Sequence, residues 1–262
     1  MRLIAVMNQK GGVGKTTSAL NLAHALALAG RRVIALDLDP QGHLATGFGV
    51  HASEGGLDEV MLNGAPLSTA LVEARPGVLL APAGSQLAEF EFITDGGAER
   101  GWRLARALKE GVNGEDFVLI DAPPSAGLLS MNALMAAEEV LVPVASDVFS
   151  LHGVSRFMQI LGHIDESLGR KTRVWIAMTR FNERRRLAQD VRTKLLEYFP
   201  DQVLVTRVRE SVALAESPGT GRTIFEYQKN GNGAEDYRAL AEDLLNGRTC
   251  DAQEDETQPN RI

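Results

Sequence analysis

Residues 8–17, NQKGGVGKTT, are of the types that hold phosphate groups. Glycines let backbone N–H groups turn inward around phosphate oxygens, and a lysine followed by a hydroxyl residue adds a cation and a Mg²⁺ ligand. Lys15 and Thr16 end the common pattern G-x-x-x-x-G-K-[ST]. The first glycine of that pattern is absent, because position 9 is Gln9, and a second lysine, Lys10, follows it. The stretch predicts a nucleotide phosphate site with one extra lysine.

Three carboxylates end apolar runs that predict strands. Asp37 and Asp39 close the run VIALDLDPQG, and Asp121 closes the run FVLIDAPPS. Ligands of open α/β sheets bind beyond the carboxyl ends of the strands, so these side chains are expected beside the phosphate loop. Asp121 is predicted to hold the water shell of a nucleotide-bound Mg²⁺. Of Asp37 and Asp39, one could help hold the metal and the other could orient water, and the residues alone do not assign them.

The elements that must position these residues are apolar, β-branched runs that alternate with helical patterns. Such alternation indicates right-handed crossovers and a mostly parallel sheet covered on both faces. The predicted strands are Leu3–Met7, Arg32–Leu38, Val78–Ala81, Phe117–Asp121, Val140–Val144, Val174–Thr179 and Val203–Val205. The predicted helices are 15–29, 99–110, 127–137, 151–168, 183–198 and 234–246. The fold class is thus α/β, a single P-loop NTPase domain with a twisted sheet of about seven or eight strands.

Composition predicts a soluble, globular chain. Apolar residues make up 44% of 262 residues and the net charge is −7, which suits one sizeable core and a cytoplasmic location. No apolar run approaches the roughly 20 residues that cross a bilayer, so no membrane association is expected. The single cysteine, Cys250, is expected to be a surface thiol in a tail. One domain is predicted over 1–246, followed by an acidic, disordered tail over 247–262.

Three segments in order, KGGVGKTT, DLDPQG and IDAPPSAGLLSMNAL, resemble the ParA/MinD family of deviant Walker ATPases. The resemblance runs from residue 1 to about residue 246 and is greatest to the short, Soj-like partition and positioning ATPases. It implies an enzyme with slow intrinsic turnover that uses ATP and Mg²⁺ and forms a homodimer when ATP binds. It further implies that the dimer positions a cargo, such as a plasmid, a chromosome region or a protein array, and that a partner protein stimulates hydrolysis.

The resemblance also implies a role for each residue of the phosphate site. Lys10 would reach across a nucleotide-sandwich dimer to the other subunit's phosphates, whereas Lys15 would serve the nucleotide of its own subunit. Asp39 would position or activate the attacking water. The metal side of the site would comprise Thr16, Asp37 and Asp121. The nucleotide-binding set would comprise Gly11, Gly12, Val13, Gly14, Lys15, Thr16, Thr17 and, at the adenine end, Thr179, Arg180 and Pro218.

Many short members of that family bind DNA without sequence preference through basic residues, a contact driven by phosphate neutralisation. The family's arginines just before Pro218 are missing here, because residues 209–213 read Arg, Glu, Ser, Val, Ala. Basic residues elsewhere are the candidates, among them two that lie seven apart on a predicted helix and so share a face. The candidate DNA contacts are Arg185, Arg192, Arg207 and Arg209.

The expected partners are a second copy of the chain, nonspecific DNA of the nucleoid, and a ParB-like or cargo adaptor protein with a basic peptide. The acidic end of the chain lacks the basic amphipathic pattern that binds membranes in MinD-type relatives. An alternative function is an ATP-gated regulator that docks on a protein machine without binding DNA, and the missing arginines favour it. A third is a metabolic P-loop enzyme such as an ATP-dependent ligase, which Lys10 and the DLDPQG segment disfavour.

Overall fold

A central sheet of eight strands organises the computed structural model, which describes residues 1–50, 55–112, 114–147 and 150–250. In chain order, strands β1 to β8 are Arg2–Val6, Val33–Asp37, Val72–Arg75, Val78–Ala81, Phe117–Asp121, Glu139–Ala145, Arg173–Phe181 and Val203–Arg209. Their order across the sheet is β3-β4-β2-β5-β1-β6-β7-β8. Neighbouring strands are parallel except β3 and β4, which pair as an antiparallel hairpin at one edge.

Helices cover both faces of this sheet. In chain order, α1 to α10 are Lys15–Leu28, His43–Gly47, Leu57–Asn63, Arg103–Gly111, Leu128–Ala136, Ser150–Leu168, Arg186–Tyr198, Val212–Glu216, Ile224–Tyr227 and Asn232–Asn246. Short 3₁₀ helices span Leu67–Thr69, Leu87–Phe92, Gly97–Trp102 and Ser217–Thr220. Of the described helices, none combines the length and the apolar character that a membrane crossing requires.

Alternate strand residues build two separate apolar cores, as expected for a sheet with two covered faces. On β1, Leu3 and Ala5 pack with α5, α6 and α7, whereas Ile4 and Val6 pack with α1 and α10. From β1 the chain continues to β2, on one side of β1 in the sheet, whereas from β5 it crosses to β6, on the other side of β1. The carboxyl end of β1, where the phosphate loop begins, therefore lies in a crevice at a topological switch point.

The predicted fold class is confirmed, and the seven predicted strands correspond to every strand except β3. That strand has only four residues, and Val72 and Glu73 are both exposed, so it carries no apolar pattern that a sequence reading could detect. Helix α7 begins at Arg186 rather than at residue 183. Residues before it form a turn in which the Arg185 N–H donates to the Asn182 carbonyl at 3.0 Å.

The outer edge of β8 is closed by residues that follow in the chain. Backbone N–H groups of Thr206 and Arg209 donate to the carboxylates of Asp243 and Asp236 on α10, at 2.7 and 2.8 Å. The Cys250 N–H donates to the carbonyl of residue 203 at 2.8 Å, and residue 249 forms an antiparallel bridge to residue 204. The expectation of a surface thiol is wrong, since Cys250 is buried. Residues 251–262, the rest of the predicted tail, lie outside the described residues.

A partly buried ion pair links three strands near the amino ends of β1, β6 and β7. Glu139 on β6 accepts two hydrogen bonds of 2.6 Å from the Arg2 guanidinium on β1 and one of 2.5 Å from the Trp175 indole N–H on β7. Burial disfavours its charged form, but the donors from Arg2 and Trp175 outweigh burial and lower the pKa of Glu139. The carboxylate is therefore ionised in the folded protein and helps to stabilise the central sheet.

Replacing Glu139 by Gln keeps the shape of the side chain but removes the charge that Arg2 and Trp175 bind. We expect the variant to lose roughly 1.5–3 kcal/mol of unfolding free energy at neutral pH, as for hydrogen bonds to charged groups. Because folding lowers this pKa, the contribution is complete above the pKa of the unfolded chain and disappears as the pH falls through the folded value. Urea unfolding at neutral pH and in acid measures both effects.

The exposed neighbour Glu138 provides the matched control, since Glu138→Gln removes the same charge from an exposed side chain. A loss of stability in Glu139→Gln that keeps its full size in acid would contradict the ionic origin of the effect.

Candidate functional site

The phosphate loop lies between the end of β1 and the start of α1. Gly12 and Gly14 have φ angles of +74° and +88°, a region that side chains other than glycine rarely adopt. A Cβ added at Gly11 or Gly12 would meet no atom within 4 Å, so the loop faces open space. An open glycine loop at the N-terminus of a 14-residue helix presents the N–H groups that hold a phosphate.

Lys15 lies inside this loop. Its Nζ donates to the Lys10 carbonyl at 3.2 Å, and the residue is only 7% exposed. Burial lowers the pKa of the Lys15 ammonium, and the charges of Asp121 and Asp39 oppose that shift. An anion bound in the loop would offset the cost of burying this ammonium, so the loop is built for a negatively charged ligand.

Two carboxylates are buried side by side at the carboxyl end of the sheet. Asp37 and Asp121 are register partners on β2 and β5, and both are fully buried. Asp37 Oδ2 accepts the Ala45 N–H at 3.0 Å. Within the described part of the chain, Asp37 Oδ1 and both oxygens of Asp121 make no hydrogen bond of good geometry.

Burial and neighbouring negative charges raise the pKa of both carboxyls above the values they would have in water. Burial, and then the charge of Asp37, raises the pKa of Asp121 well above its ordinary value, and the nearby Thr16 hydroxyl opposes that shift only in part. Burial also raises the pKa of Asp37 to about 7. The pair thus needs either protons or a cation.

These carboxylates fit a magnesium ion that is held together with a nucleotide. Across the part of the chain that the structure describes, no group of three or more His, Cys, Asp or Glu could hold a metal unaided. Mg²⁺ needs only one or two carboxylates when substrate phosphates and water complete its octahedron. The orphaned oxygens of Asp37 and Asp121, with the Thr16 hydroxyl in the first turn of α1, supply that smaller set. When bound, the ion would neutralise phosphate charge.

A cleft of about 860 Å³ extends from the phosphate loop along the carboxyl edge of the sheet. Its lining includes residues of the phosphate site, Gly11, Gly12, Gly14, Lys15, Thr16, Thr17 and Asp39, together with Thr179, Arg180, Val208, Val212, Leu214 and Tyr237. The structure thus brings together most of the predicted phosphate residues and two of the three predicted adenine residues. The third, Pro218, is not part of the lining and lies within the 3₁₀ helix Ser217–Thr220.

Three side chains of the cleft have defined supports. Asp39 is half-buried, and its Oδ1 accepts the Gln41 N–H at 3.0 Å, which leaves a carboxylate at the cleft that can orient a water molecule. Thr179 Oγ1 donates to the Val13 carbonyl at 2.8 Å and so joins the end of β7 to the phosphate loop. Arg180, near the end of β7, has a φ of +50°, in the left-handed region that residues other than glycine rarely adopt.

Lys10 stands apart from the cleft that Lys15 occupies. Its Nζ forms an ion pair with Asp147, which follows β6, and its backbone N–H donates to Asn8 Oδ1 at 3.0 Å. Among the described residues that line the cleft, Lys10 is not included. The two lysines of one loop therefore face different surroundings, one inside its own nucleotide cleft and one at the outer surface beside it.

Each of the four predicted DNA contacts lies beside other side chains, and Arg209 is the most firmly held of them. It donates to Asp236 at 2.6 Å and to Glu235 at 2.6 Å. These hydrogen bonds raise the pKa of its guanidinium. Its charge is thus committed to carboxylates of α10.

The other three predicted DNA contacts lie in separate surroundings. Arg207 lies 5.1 Å from the centre of the Phe181 ring, and its guanidinium is 3.7 Å from a carboxylate oxygen of residue 183. Arg185 lies 3.2 Å from Glu210. Arg192 lies 4.0 Å from the thiol of residue 250. Arg207 and Arg185 thus lie near the carboxyl ends of β7 and β8, and Arg192 lies apart from them beside residue 250.

Two residues near the site were missed in the sequence. Asp147 follows an apolar strand, the same pattern that revealed Asp37 and Asp121, and could have been found by it. Tyr237 lies on α10 and lines the cleft, and its hydroxyl is 3.2 Å from Ser18 Oγ. Burial raises the pKa of Tyr237, so the phenol stays neutral. No local pattern marks a residue that lies 219 positions from its partner.

Comparison with known proteins agrees with this geometry. The family model for an AAA domain matches residues 1–174. The chain is 41% identical over 246 residues to the chromosome-partitioning ATPase Soj of Thermus thermophilus, covering 94% of this chain and 96% of the relative. It is 36% identical over 250 residues to the chromosome partitioning protein ParA of Myxococcus xanthus, covering 93% and 88% of the two chains.

Solved structures share the fold over nearly the whole chain. A Mycobacterium smegmatis protein, described as cobyrinic acid a,c-diamide synthase with bound ADP and magnesium, is 31% identical, with 94% of each chain covered and a TM-score of 0.79. The ATP complex of a Cyanothece McdA variant has a TM-score of 0.82 at 20% identity, with 94% of this chain and 96% of that chain covered. At that identity the likeness concerns the fold alone.

Replacing Asp121 by Asn removes one of the two facing buried carboxyls. Without nucleotide and Mg²⁺, folding raises both pKa values, so the pair's contribution to stability is complete in acid and is lost as the pH rises through about 7, where Asp37 ionises. We expect the ligand-free variant to melt at a higher temperature than the unmodified protein at pH 8. Addition of ATP and Mg²⁺ should stabilise the unmodified protein far more than the variant.

Thermal melts at pH 6 and pH 8, with and without ATP and Mg²⁺, measure both effects. Asp95→Asn, at an exposed position, is the matched control and should behave as the unmodified protein in all four conditions. A ligand-free Asp121→Asn variant that melts lower at pH 8 would show that the two carboxyls do not oppose folding.

Proposed function

We propose that this chain, which belongs to the ParA/Soj family of partitioning ATPases, is a switch that dimerises on ATP and binds DNA without sequence preference. It is an ATPase that uses ATP with Mg²⁺. Its cargo would be a plasmid, a chromosome region or a protein assembly, and a partner protein would stimulate hydrolysis. Its proposed location is the cytoplasm, on the nucleoid.

The placement of the two loop lysines carries this proposal. Lys15 is buried in its own cleft, whereas Lys10 lies outside that cleft in an ion pair with Asp147. A lysine so placed can reach the phosphates of a second subunit docked against the loop, as a cation supplied in trans. Dimer formation would then break the pair with Asp147, and ATP would be sensed by two subunits together.

The residues of one subunit would place most of the reacting groups. Lys15 and the loop N–H groups would hold the β- and γ-phosphates, while Thr16, Asp37 and Asp121 would hold Mg²⁺. Asp39, which accepts the N–H of residue 41, would orient the attacking water at the cleft. The metal supplies charge neutralisation at the phosphates. Since part of the cationic set comes from the other subunit, a lone subunit should hydrolyse ATP slowly.

DNA binding would use the arginine cluster, which we define as Arg180, Arg184, Arg185 and Arg186. All four are exposed and lie between the end of β7 and the start of α7, at the same edge of the sheet as the cleft. Exposed guanidinium groups bind phosphate oxygens and release counterions from DNA. Two subunits would place two such clusters on one dimer, which raises affinity through multivalent contact.

The stimulating partner would be a ParB-like or cargo adaptor protein with a basic peptide. A chain with a net charge of −7 attracts such a peptide over a long range. If charge recognition carries this step, replacing the lysines and arginines of the peptide should abolish its stimulation of ATP hydrolysis, measured by phosphate release. Equal stimulation by the neutral peptide would contradict it.

A second candidate is a nucleotide-gated regulator that docks on a protein machine without DNA. Two sets of contacts favour it. Arg209 is held by two carboxylates of α10, and Glu210 stands between Arg180 and Arg185. A charge placed in an internal ion pair contributes less to phosphate binding. The two candidates agree on the ATP dimer and differ on DNA.

Two variants separate the steps of the proposed cycle. Lys10→Ala should bind ATP but remain a monomer, because the cation supplied in trans is lost, and it should lose DNA binding with it. Arg184→Gln/Arg185→Gln should still form the ATP dimer but bind duplex DNA roughly tenfold more weakly, with a shallower salt dependence. Analytical ultracentrifugation reports the dimer, and fluorescence anisotropy over a salt series reports DNA binding.

Arg31→Gln/Lys109→Gln is the matched control, because it removes two exposed charges near the amino ends of the strands, away from the cleft. It should change neither readout by more than about twofold, as distant charges are screened by salt. An unmodified protein that forms the ATP dimer yet binds no DNA would overturn the DNA step and favour the protein-docking regulator. Failure to dimerise with ATP would overturn both.

A further inference from the structure

Glu210 follows β8, lines the nucleotide cleft and contacts the arginine cluster. Its Oε2 is 3.2 Å from Arg185 Nη2, and its Oε1 is 3.8 Å from Arg180 Nη2. Its backbone N–H donates to the Phe181 carbonyl at 3.1 Å, which holds it against the end of β7. One carboxylate on an anchored backbone thus contacts two of the four arginines of the cluster.

We propose that Glu210 sets the affinity of the arginine cluster for polyanions by masking Arg180 and Arg185 in each subunit. The masked cluster of a single subunit then binds a phosphate backbone too weakly to stay on it. Two clusters in one dimer displace the masks together and bind. This inference rests on the proposed function and concerns how DNA binding at that cluster is limited to the dimer.

The mask is reversible because it is exposed to solvent. The side chains of Arg180 and Arg185 are 62% and 63% exposed, and that of Glu210 is 39% exposed. Exposed ion pairs are weak, so a phosphate can replace the carboxylate when several contacts form at once. The mask therefore discriminates against isolated anions and against single subunits more than against a long polyanion bound by a dimer.

Arg209, next to Glu210, forms a contrasting ion pair with a buried carboxylate, which cannot separate without a large cost. The side chain of its partner Asp236 is 7% exposed and also accepts the Arg209 backbone N–H at 2.8 Å. That pair is part of the fold, since its separation would leave a buried carboxylate unpaired. Unlike the Arg209–Asp236 pair, the contacts of Glu210 join exposed side chains and can separate without leaving a buried charge unpaired.

Replacing Glu210 by Gln tests the mask in the ADP state, where a single subunit binds alone. The variant should bind nonspecific duplex DNA roughly fivefold more tightly than the unmodified protein at low salt, with a salt slope steeper by about 0.9 for each additional phosphate neutralised. Because Glu210 also lines the cleft, ADP is kept saturating and its occupancy is measured by equilibrium dialysis. Thermal melting verifies that the variant is folded.

The matched control is Glu242→Gln, which removes the same charge from an exposed pair with Arg248, 3.6 Å away at the far end of α10. It should leave DNA affinity within about twofold, because that charge is screened from the cluster. The double variant Glu210→Gln/Arg185→Gln should lose most of the increase in affinity, since the mask acts through Arg185. Both results would support the proposal.

Two outcomes would overturn it, and they are distinguishable. If the unmodified protein binds DNA with ATP but Glu210→Gln binds no more tightly than Glu242→Gln with ADP, the mask is wrong and the proposed function stands. If neither the unmodified protein nor Glu210→Gln binds DNA in either nucleotide state, although the ATP dimer forms, the DNA step fails and the mask fails with it.

Discussion

Two fully buried carboxylates, Asp37 and Asp121, face each other at the carboxyl end of the sheet, and the rest of the site is arranged around this unfavourable pair. Apolar residues of β2 and β5 hold them in place on both faces of the sheet. Because most of their oxygens lack a hydrogen-bond partner among the described residues, they oppose folding unless they are protonated or meet a cation. The fold thus supplies the energy that keeps a metal-binding geometry in place before any ligand arrives.

The two lysines of the loop lie in different places relative to these buried carboxylates. Lys15 is held within the loop, where its charge partly compensates Asp121 and Asp39. Lys10 lies outside the cleft lining, in an ion pair with Asp147. A loop with both lysines inside would neutralise its own site. The separation leaves the site short of positive charge in one subunit, which is the condition under which a second subunit can contribute.

Features with local patterns were predictable from the sequence, and features made by distant pairs were not. The phosphate loop, Asp121 and seven strands follow from glycine spacing and apolar runs, because those patterns determine backbone shape nearby. Strand β3 has exposed residues and lies at an edge, so it leaves no such pattern. The partners of Arg209 are 26 and 27 positions away on α10, and nothing near Arg209 in the sequence indicates them.

The closed edge of β8 restricts how another chain can join this sheet. Backbone groups there are already bonded to Asp236, Asp243 and Cys250, all of which follow β8 in the chain. An exposed strand edge is a template for strand addition and for aggregation, and these bonds protect the β8 edge from both. The opposite edge, at β3, is short, with Glu73 exposed on it. An adaptor peptide that extended the sheet would therefore have to pair with β3, on the far side of the sheet from the arginine cluster, which would leave that cluster accessible to DNA.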